Sequence, residues 1–386
     1  MALKSFSTPA ENSPVPLKLY HLSRPIVLCM RAIGYLPVSV NTDSRLTISS
    51  LPFLHTLTLL IIQFSSCIGF LLLYSAFDSF HSKTPTESVV EFLTQAVTLT
   101  TTLGFRINAT FRSKATVQFW EYHYEKLAHL LQLDQGLKQS LLENALLRDV
   151  ARKTRKLSIL GTLYPFLLAM YSSISIYFLS VTSNDFLDAM EKFKSYGNVL
   201  WLSFVVGMVW GISVTVQLFF PTYLTFFLRL YSAYFKTIAG ELGEIRQAIS
   251  RGGAERLGPL FQAFEIVGDL VRKFNDHFGV SILVQIGMSY LSVLMYAFYT
   301  LFHSTHHESF TIGSVILPVM SFAWQLYLVI SVAAEVGLAV REVREILCAM
   351  PVESLPSHIQ CRVCLTSCSS YSDKICGMST GAFVRT

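Results

Sequence analysis

The stretch from Val199 to Leu228 reads VLWLSFVVGMVWGISVTVQLFFPTYLTFFL and contains no Asp, Glu, Lys or Arg in its 30 residues. As an α-helix it would extend about 45 Å, which exceeds the roughly 30 Å hydrocarbon thickness of a bilayer. Only 14% of the 386 residues are charged, whereas soluble proteins average about 25%. Both observations favour a membrane protein over a set of soluble domains.

Five more segments have the length and apolarity of membrane spans. The six predicted spans are Leu51–Phe77, Glu87–Phe105, Leu157–Val181, Val199–Leu228, Phe278–Phe302 and Phe310–Ala334. The second span carries Glu87 and Glu91 near one end and five threonines, whose hydroxyls can donate to carbonyls of their own helix. The sequence therefore predicts an all-α fold, a polytopic membrane helical bundle.

The basic residues are distributed unevenly between the two sides of these spans. Of the 30 Lys and Arg residues, 27 fall in residues 1–50, in the connections 106–156 and 229–277, and after residue 334. Lys and Arg accumulate on the cytoplasmic side of membrane proteins. The sequence thus predicts a cytoplasmic amino terminus, which excludes the sidedness of a G-protein-coupled receptor. The net charge of +5 needs no nucleic-acid partner, because the inner leaflet is negatively charged.

Apolar residues recur at helical spacing in the cytoplasmic connections. They follow steps of three and four in residues 260–278, 231–249, 120–131 and 336–347, the pattern of amphipathic helices. We expect these helices to pack together beneath the membrane; separate surface helices are the alternative. The predicted organisation is a cytoplasmic segment 1–50, a transmembrane bundle with its inner connections over 51–340, and a Cys- and Ser-rich cytoplasmic tail over 341–386.

Signatures of enzymes are lacking in the sequence. It contains no phosphate-binding glycine loop, no HExxH, no nucleophile elbow and no GxGxxG. The spans carry no acidic or basic residue beyond Glu87 and Glu91, and a proton- or ion-coupled transporter would need such groups near the midplane. We predict no catalytic residue, no metal site and no cofactor.

The outer halves of the spans carry aromatic and neutral polar residues. Apolar walls with a few polar groups suit a pocket for a small organic ligand, although aromatic residues at this depth also form interfacial belts. The predicted pocket residues are Tyr74, Gln95, Tyr171, Tyr177, Trp210, Tyr296, Tyr299, Trp324 and Gln325.

The architecture resembles that of the insect gustatory receptors. The shared features are an inside amino terminus, long helical inner connections, short outer connections and a fourth span that continues into the cytoplasm. The segment Arg24-Pro-Ile-Val-Leu-Cys-Met-Arg31-Ala-Ile-Gly34-Tyr-Leu-Pro37 is similar to the arginine, glycine and proline run that precedes the first span in that family. The resemblance covers about residues 20–350.

Several expectations follow from the resemblance alone. Family members are ligand-gated cation channels, usually tetramers, with a tastant pocket in the outer half of each subunit. A homo- or hetero-tetramer in the plasma membrane, gated by a small organic tastant, is therefore expected. The family also has a seventh, pore-lining span with a TYxxxxxQF-type motif, and no segment after Arg341 matches it.

Three alternatives remain open from the sequence. An odorant receptor shares the architecture with a gustatory receptor. A six-span transporter would show an internal repeat between residues 51–181 and 199–334, and none is visible beyond the number of spans. A non-conducting regulatory subunit could assemble through the inner helices.

Overall fold

The computed structural model describes residues 15–40, 45–77, 85–143, 145–182, 199–248, 253–303 and 309–350. Nine α-helices, a short 3₁₀ turn at Gly253–Arg256 and one β-hairpin form these ranges. The helices are α1 Val15–Ala32, α2 Ser50–Phe77, α3 Pro85–Phe111, α4 Ser113–Leu133, α5 Gln135–Glu143, α6 Ala145–Thr182, α7 Val199–Ala248, α8 Leu257–His303 and α9 Ser309–Cys348.

Each of the six predicted spans is helical. They lie within α2, α3, α6, α7, α8 and α9, in chain order. Among the described residues, three stretches are long and apolar enough to cross a membrane by length and composition: Ser50–Gly69, Leu257–Met295 and Val319–Cys348. The helical class is therefore confirmed, whereas the number of spans and the side on which the amino terminus lies stay predictions.

The amphipathic connections continue the long helices and pack together. Residues 231–248 extend α7, residues 257–277 precede the predicted fifth span within α8, and residues 335–348 extend α9. The apolar positions of these segments belong to one buried core, which also includes the buried face of α4. The expected packing of these helices with one another is thus confirmed, whereas their place beneath the membrane stays a prediction. We call this region the aromatic bundle: α4, α5, and residues 229–248 of α7, 257–277 of α8 and 335–348 of α9.

A short β-hairpin that the sequence did not predict lies between α1 and α2. Val38–Val40 pairs antiparallel with Leu46–Ile48, with Val38 opposite Ile48 and Val40 opposite Leu46. Both strands are three residues long and rich in β-branched side chains, which favour extended backbone. Val38 and Leu46 are buried, so packing against the core stabilises a hairpin too short to form alone.

A close approach between α6 and α7 occurs at Gly207. A Cβ atom at this position would lie only 2.8 Å from the Cα of Ser173. Gly207 belongs to the Gly-x-x-x-Gly pair with Gly211, a spacing that lets two helix backbones approach closely in a membrane. The bare Cα of Gly207 therefore sets the distance between these two helices.

Candidate functional site

The structure places the nine predicted pocket residues on six helices. Tyr74 lies on α2, Gln95 on α3, Tyr171 and Tyr177 on α6, Trp210 on α7, Tyr296 and Tyr299 on α8, and Trp324 and Gln325 on α9. The side chains of six of them lie outside the described residues: Tyr74, Gln95, Tyr177, Trp210, Tyr296 and Tyr299. The outer pocket as a set therefore stays a prediction.

The three described pocket residues have different surroundings. Tyr171 is half-buried. Trp324 is 56% exposed and lies beside Tyr327 on the outer face of α9, with 5.8 Å between their ring centroids. Gln325 is buried and faces α8. Of the three, Gln325 is the one that is buried.

Gln325 belongs to a cluster of amides that joins α7, α8 and α9. The Gln285 Nε2 atom lies 3.3 Å from Gln325 Oε1, 3.1 Å from Ser289 Oγ and 3.4 Å from the Gln217 carbonyl oxygen. All three glutamines are at least nine-tenths buried. Gln285 is thus the donor that ties the three helices together, and we call Gln217, Gln285 and Gln325 the glutamine cluster.

The glutamine cluster is incompletely satisfied. Among the described residues, neither amide atom of the Gln217 side chain has a hydrogen-bond partner, and neither does Gln285 Oε1. A buried polar atom without a partner costs about 1–3 kcal/mol. The cluster therefore keeps donors and acceptors available, as a site for a polar group of a ligand requires.

On α8, the glutamine cluster lies well away from the predicted outer pocket residues. Tyr296 and Tyr299 follow Gln285 by 11 and 14 residues on α8, which corresponds to about 16–21 Å along the axis. Gln217 and Gln285 were not among the predicted pocket residues, because they lie in the inner halves of the fourth and fifth predicted spans. The available signal was a lone amide inside each apolar run, in VTVQLFF and ILVQIGM.

Below the glutamine cluster, α4 inserts aromatic side chains between α7 and α8. Trp120 is fully buried, and its Nε1 donates to the Tyr223 hydroxyl at 3.1 Å. Phe119 stacks on the His277 ring at a centroid distance of 5.1 Å and contacts Phe227 at the same distance. These contacts couple α4 to the two helices that carry Gln217 and Gln285.

Two histidines of the aromatic bundle are held neutral. His123 Nδ1 lies 3.0 Å from the Phe119 carbonyl oxygen, which can only accept, so Nδ1 carries the proton and Nε2 accepts from the Tyr231 hydroxyl at 2.5 Å. Burial lowers the pKa of His123 to about 4. Burial, together with Arg112 and Lys273, lowers the pKa of His277 to about 4 as well.

A charged cluster closes the opposite end of the aromatic bundle. Arg256 donates to Asp134 Oδ2 at 2.6 Å and to Glu241 Oε2 at 2.8 Å, and Ser140 donates to Glu241. The hydrogen bond from Arg256 lowers the pKa of Asp134. Asp134 also accepts from the Leu137 amide at 2.9 Å and so caps α5. The cluster fixes the turn between α4 and α5 against the end of α7.

The segment around Gly34 connects α1 to the long helices. Arg106 of α3 is fully buried and donates from Nη1 to the Ile33 carbonyl oxygen at 2.7 Å. Gly34 has a φ of 70°, and Tyr35 packs on Phe220 with a centroid distance of 5.4 Å. The Gly-Tyr-Leu-Pro run of the sequence is therefore a structural anchor for α3 and α7.

Among the described residues, no group of three or more His, Cys, Asp or Glu is arranged to hold a metal ion. Residues 351–386, in which the sequence shows no match to the seventh span of the gustatory receptors, lie outside the described residues.

Two solved structures have the same fold over most of their length. The insect olfactory receptor OR5 from Machilis hrabei matches with a TM-score of 0.65 and 11% identity, covering 91% of this chain and 89% of that chain. The same receptor in complex with eugenol matches with a TM-score of 0.63 and 12% identity, with the same coverage of both chains. At these identities the likeness concerns the fold alone.

Sequence comparison gives the family. No curated protein sequence matches the chain significantly. A family model described as 7tm chemosensory receptor matches residues 23–360, which include the Gly34 anchor, the glutamine cluster and the aromatic bundle. The chain therefore belongs to the 7tm chemosensory receptor family.

Proposed function

We propose that the chain is a gustatory-type subunit of a ligand-gated cation channel in the plasma membrane, and that it detects a small organic tastant. Its family contains chemosensory receptors. The 27 of 30 basic residues on one side of the predicted spans support a cytoplasmic amino terminus. Assembly into a homo- or hetero-tetramer is part of the proposal and rests on the resemblance to gustatory receptors.

The observation that carries the proposal is the continuity of three helices. Each of α7, α8 and α9 runs without a break from the glutamine cluster into the aromatic bundle. A ligand shifts a gating equilibrium only by its difference in affinity for the closed and open states. A shift of these helices around a bound ligand would reach the aromatic bundle directly, because no loop lies between.

We place the ligand among the outer pocket residues, with Gln325 at the base of the pocket. The solved complex of OR5 with eugenol supports a small, partly aromatic molecule as the class of ligand. Tyrosine and tryptophan rings supply apolar area and glutamine amides supply orientation, the combination that small-molecule pockets use.

Current recording tests the proposal. The chain is expressed alone, and then with a complete homologue, while sugars, alkaloids and eugenol are applied. We expect an evoked cation current, and we expect Gln325→Leu to raise the half-maximal ligand concentration by about tenfold, the value of one lost polar contact. Gln118→Leu is the matched control, because Gln118 is exposed on α4.

The same recording separates the competing functions. Currents evoked by volatile compounds and not by soluble tastants would indicate an odorant receptor. Current only in the presence of a homologue would indicate a non-conducting regulatory subunit. Substrate uptake without a conductance would indicate a transporter and would contradict the proposal.

Glycosylation mapping tests the proposed sidedness. Sequons are inserted at the amino terminus and in the connection 182–198. We expect modification of the connection and none of the amino terminus. The reverse pattern would place the amino terminus outside the cell and would contradict the proposed sidedness.

A further inference from the structure

We propose that the beginning of α6 binds an anionic phospholipid of the inner leaflet whose headgroup carries more than one phosphate. The site is distinct from the ligand pocket and faces outward from the helix bundle. It rests on the proposed membrane placement of α6 and on the cytoplasmic location of its first residues. Two features of the described residues carry it: a dense basic segment, and the direction in which that segment faces.

The basic segment lies immediately before the predicted third span. Five Lys and Arg residues occur within nine positions of α6 and all are exposed: Arg148, Arg152, Lys153, Arg155 and Lys156. Leu157 begins the apolar run. Clusters of four to eight basic residues directly cytoplasmic of a membrane helix are typical of binding sites for phosphatidylserine and phosphoinositides.

The helical geometry shows where the basic side chains face. At 100° per residue, Arg152 and Lys156 lie in line with Ile159 and Leu163, seven and eleven positions after Arg152. Ile159 is 51% exposed and Leu163 is 52% exposed. The basic face therefore continues without a break into the exposed apolar face of α6, so a lipid lying along that face would bring its headgroup to Arg152 and Lys156.

The opposite face of α6 packs against the rest of the molecule. Val150, Thr154 and Ser158 are buried. The Cys29 thiol of α1 lies 3.6 Å from the Ser158 carbonyl oxygen and donates to it. Because α1 covers this side, it leaves the side with Arg152 and Lys156 accessible.

Asp149 reduces the positive charge of the basic segment but does not cancel it. Asp149 pairs with Lys153, with 2.8 Å between Asp149 Oδ2 and Lys153 Nζ. The hydrogen bond from Lys153 lowers the pKa of Asp149. Arg152 also lowers it by its charge, as does Arg229 at the start of the inner part of α7. Beside the Asp149–Lys153 pair, Arg152 and Lys156 supply positive charge at the headgroup level.

The composition of the cluster favours several phosphate oxygens over a single charge. Three of the five basic residues are arginines, whose planar guanidinium groups bind phosphate in a bidentate manner. Side chains spaced along two turns of a helix can contact more than one phosphate of the same headgroup. We therefore expect phosphatidylinositol bisphosphate to bind more tightly than phosphatidylserine at equal total charge.

The test measures lipid retained by the full chain. The protein is purified in nanodiscs of phosphatidylcholine with added phosphatidylserine or phosphatidylinositol bisphosphate, and bound lipid is quantified by mass spectrometry. With about 1 kcal/mol per basic residue at a membrane surface, Arg152→Gln/Lys156→Gln should reduce retention of the bisphosphate at least about tenfold. The charge-preserving pair Arg152→Lys/Lys156→Arg should keep most of it.

The matched control removes two basic residues far from the membrane. Lys236 and Arg246 are exposed on α7, 8 and 18 residues beyond Leu228, about 12 and 27 Å along the helix. Lys236→Gln/Arg246→Gln should leave retention unchanged. An equal loss in this pair would show only a general charge effect and would overturn the proposal.

Two other outcomes also overturn it. Equal retention of phosphatidylserine at matched charge would remove the requirement for several phosphates. Equal binding of free inositol trisphosphate in bulk solution would indicate a soluble phosphate site instead of a lipid site. Lipid retention needs no conductance, and sidedness is read separately by glycosylation mapping, so failure of this site and failure of the proposed channel function are distinguishable.

Discussion

The aromatic bundle and the membrane segments place their large side chains in opposite ways. In the aromatic bundle, Trp120, Tyr231 and Phe274 are completely buried, as in the core of a soluble protein. In the predicted spans, Trp201 is 63% exposed and Leu160 is 61% exposed. Lipid tails are as apolar as leucine, so a membrane segment gains little by burying such residues. The aromatic bundle is therefore the part stabilised by the hydrophobic effect.

The polar side chains of the aromatic bundle are more completely paired than those of the membrane segments. Three amide atoms of the glutamine cluster lack partners among the described residues, whereas the charges of Arg256, Asp134 and Glu241 satisfy one another. The membrane segments thus contain the less complete polar network, although unsatisfied groups cost more where no water is present. We therefore expect the aromatic bundle to contribute most of the folding stability, whereas the proposed ligand site lies in the membrane segments.

Replacing a buried and an exposed tryptophan by alanine should give the largest difference in folding stability between the two regions. Trp120→Ala should destabilise the folded chain by about 3–5 kcal/mol, because it removes a buried indole and leaves the Tyr223 hydroxyl without its donor. Trp324→Ala should change stability by less than about 1 kcal/mol, since that ring is 56% exposed. Thermal unfolding in detergent measures both, and equal losses would contradict the division.

Acidification should weaken the aromatic bundle through His123. Burial lowers its pKa to about 4 in the folded chain, against about 6.5 unfolded. Above pH 6.5 neither state binds the proton. As the pH falls from about 6.5 to 4, only the unfolded state binds it, so stability drops by about 3 kcal/mol in total.

The pH dependence is read from unfolding midpoints between pH 8 and pH 4. His123→Gln should reduce the slope of the profile without removing it, because His277 keeps a pKa that is also lowered to about 4. His129→Gln is the matched control, because His129 is exposed on the same helix. A profile of wild-type steepness in His123→Gln would assign the pH dependence to other groups.

The anchor at Gly34 should show an effect of intermediate size. Its φ of 70° disfavours an L side chain, and a Cβ atom would lie 2.6 Å from Leu59 Cδ1. Gly34→Ala should cost about 2 kcal/mol in folding stability. Gly258→Ala provides the control, since a Cβ atom there would meet nothing within 4 Å, and it should be neutral or slightly stabilising.

The glutamine cluster should show the smallest effect on stability, with the opposite sign. Gln217→Met replaces an amide without described partners by an apolar side chain of similar shape, and should stabilise the chain by about 1 kcal/mol. The same substitution should weaken ligand-evoked current. If Gln217→Met lowers the stability, the functional assignment of this cluster is removed. It is also removed if the variant is more stable but the ligand-evoked current is unchanged.

Particular residues show how far sequence reasoning reached. The spacing of Leu260, Phe264 and Val267 predicted a buried helix face, and all three are buried. Gln325 was predicted as a pocket residue from its place in an apolar span, and it is buried beside Gln285. The hairpin was missed because its three-residue strands are too short to show an alternating pattern, and they are stabilised by long-range packing.

The sequence by itself determined the helical class, the positions of the long apolar segments and the amphipathic faces. Those properties are local, since they depend on the period of a helix and on the distribution of charge along the chain. Only the tertiary structure decided that Gln217, Gln285 and Gln325 meet and that Arg106 reaches Ile33. Contacts between residues 40 to 73 positions apart depend on how helices cross, and no local pattern encodes that geometry.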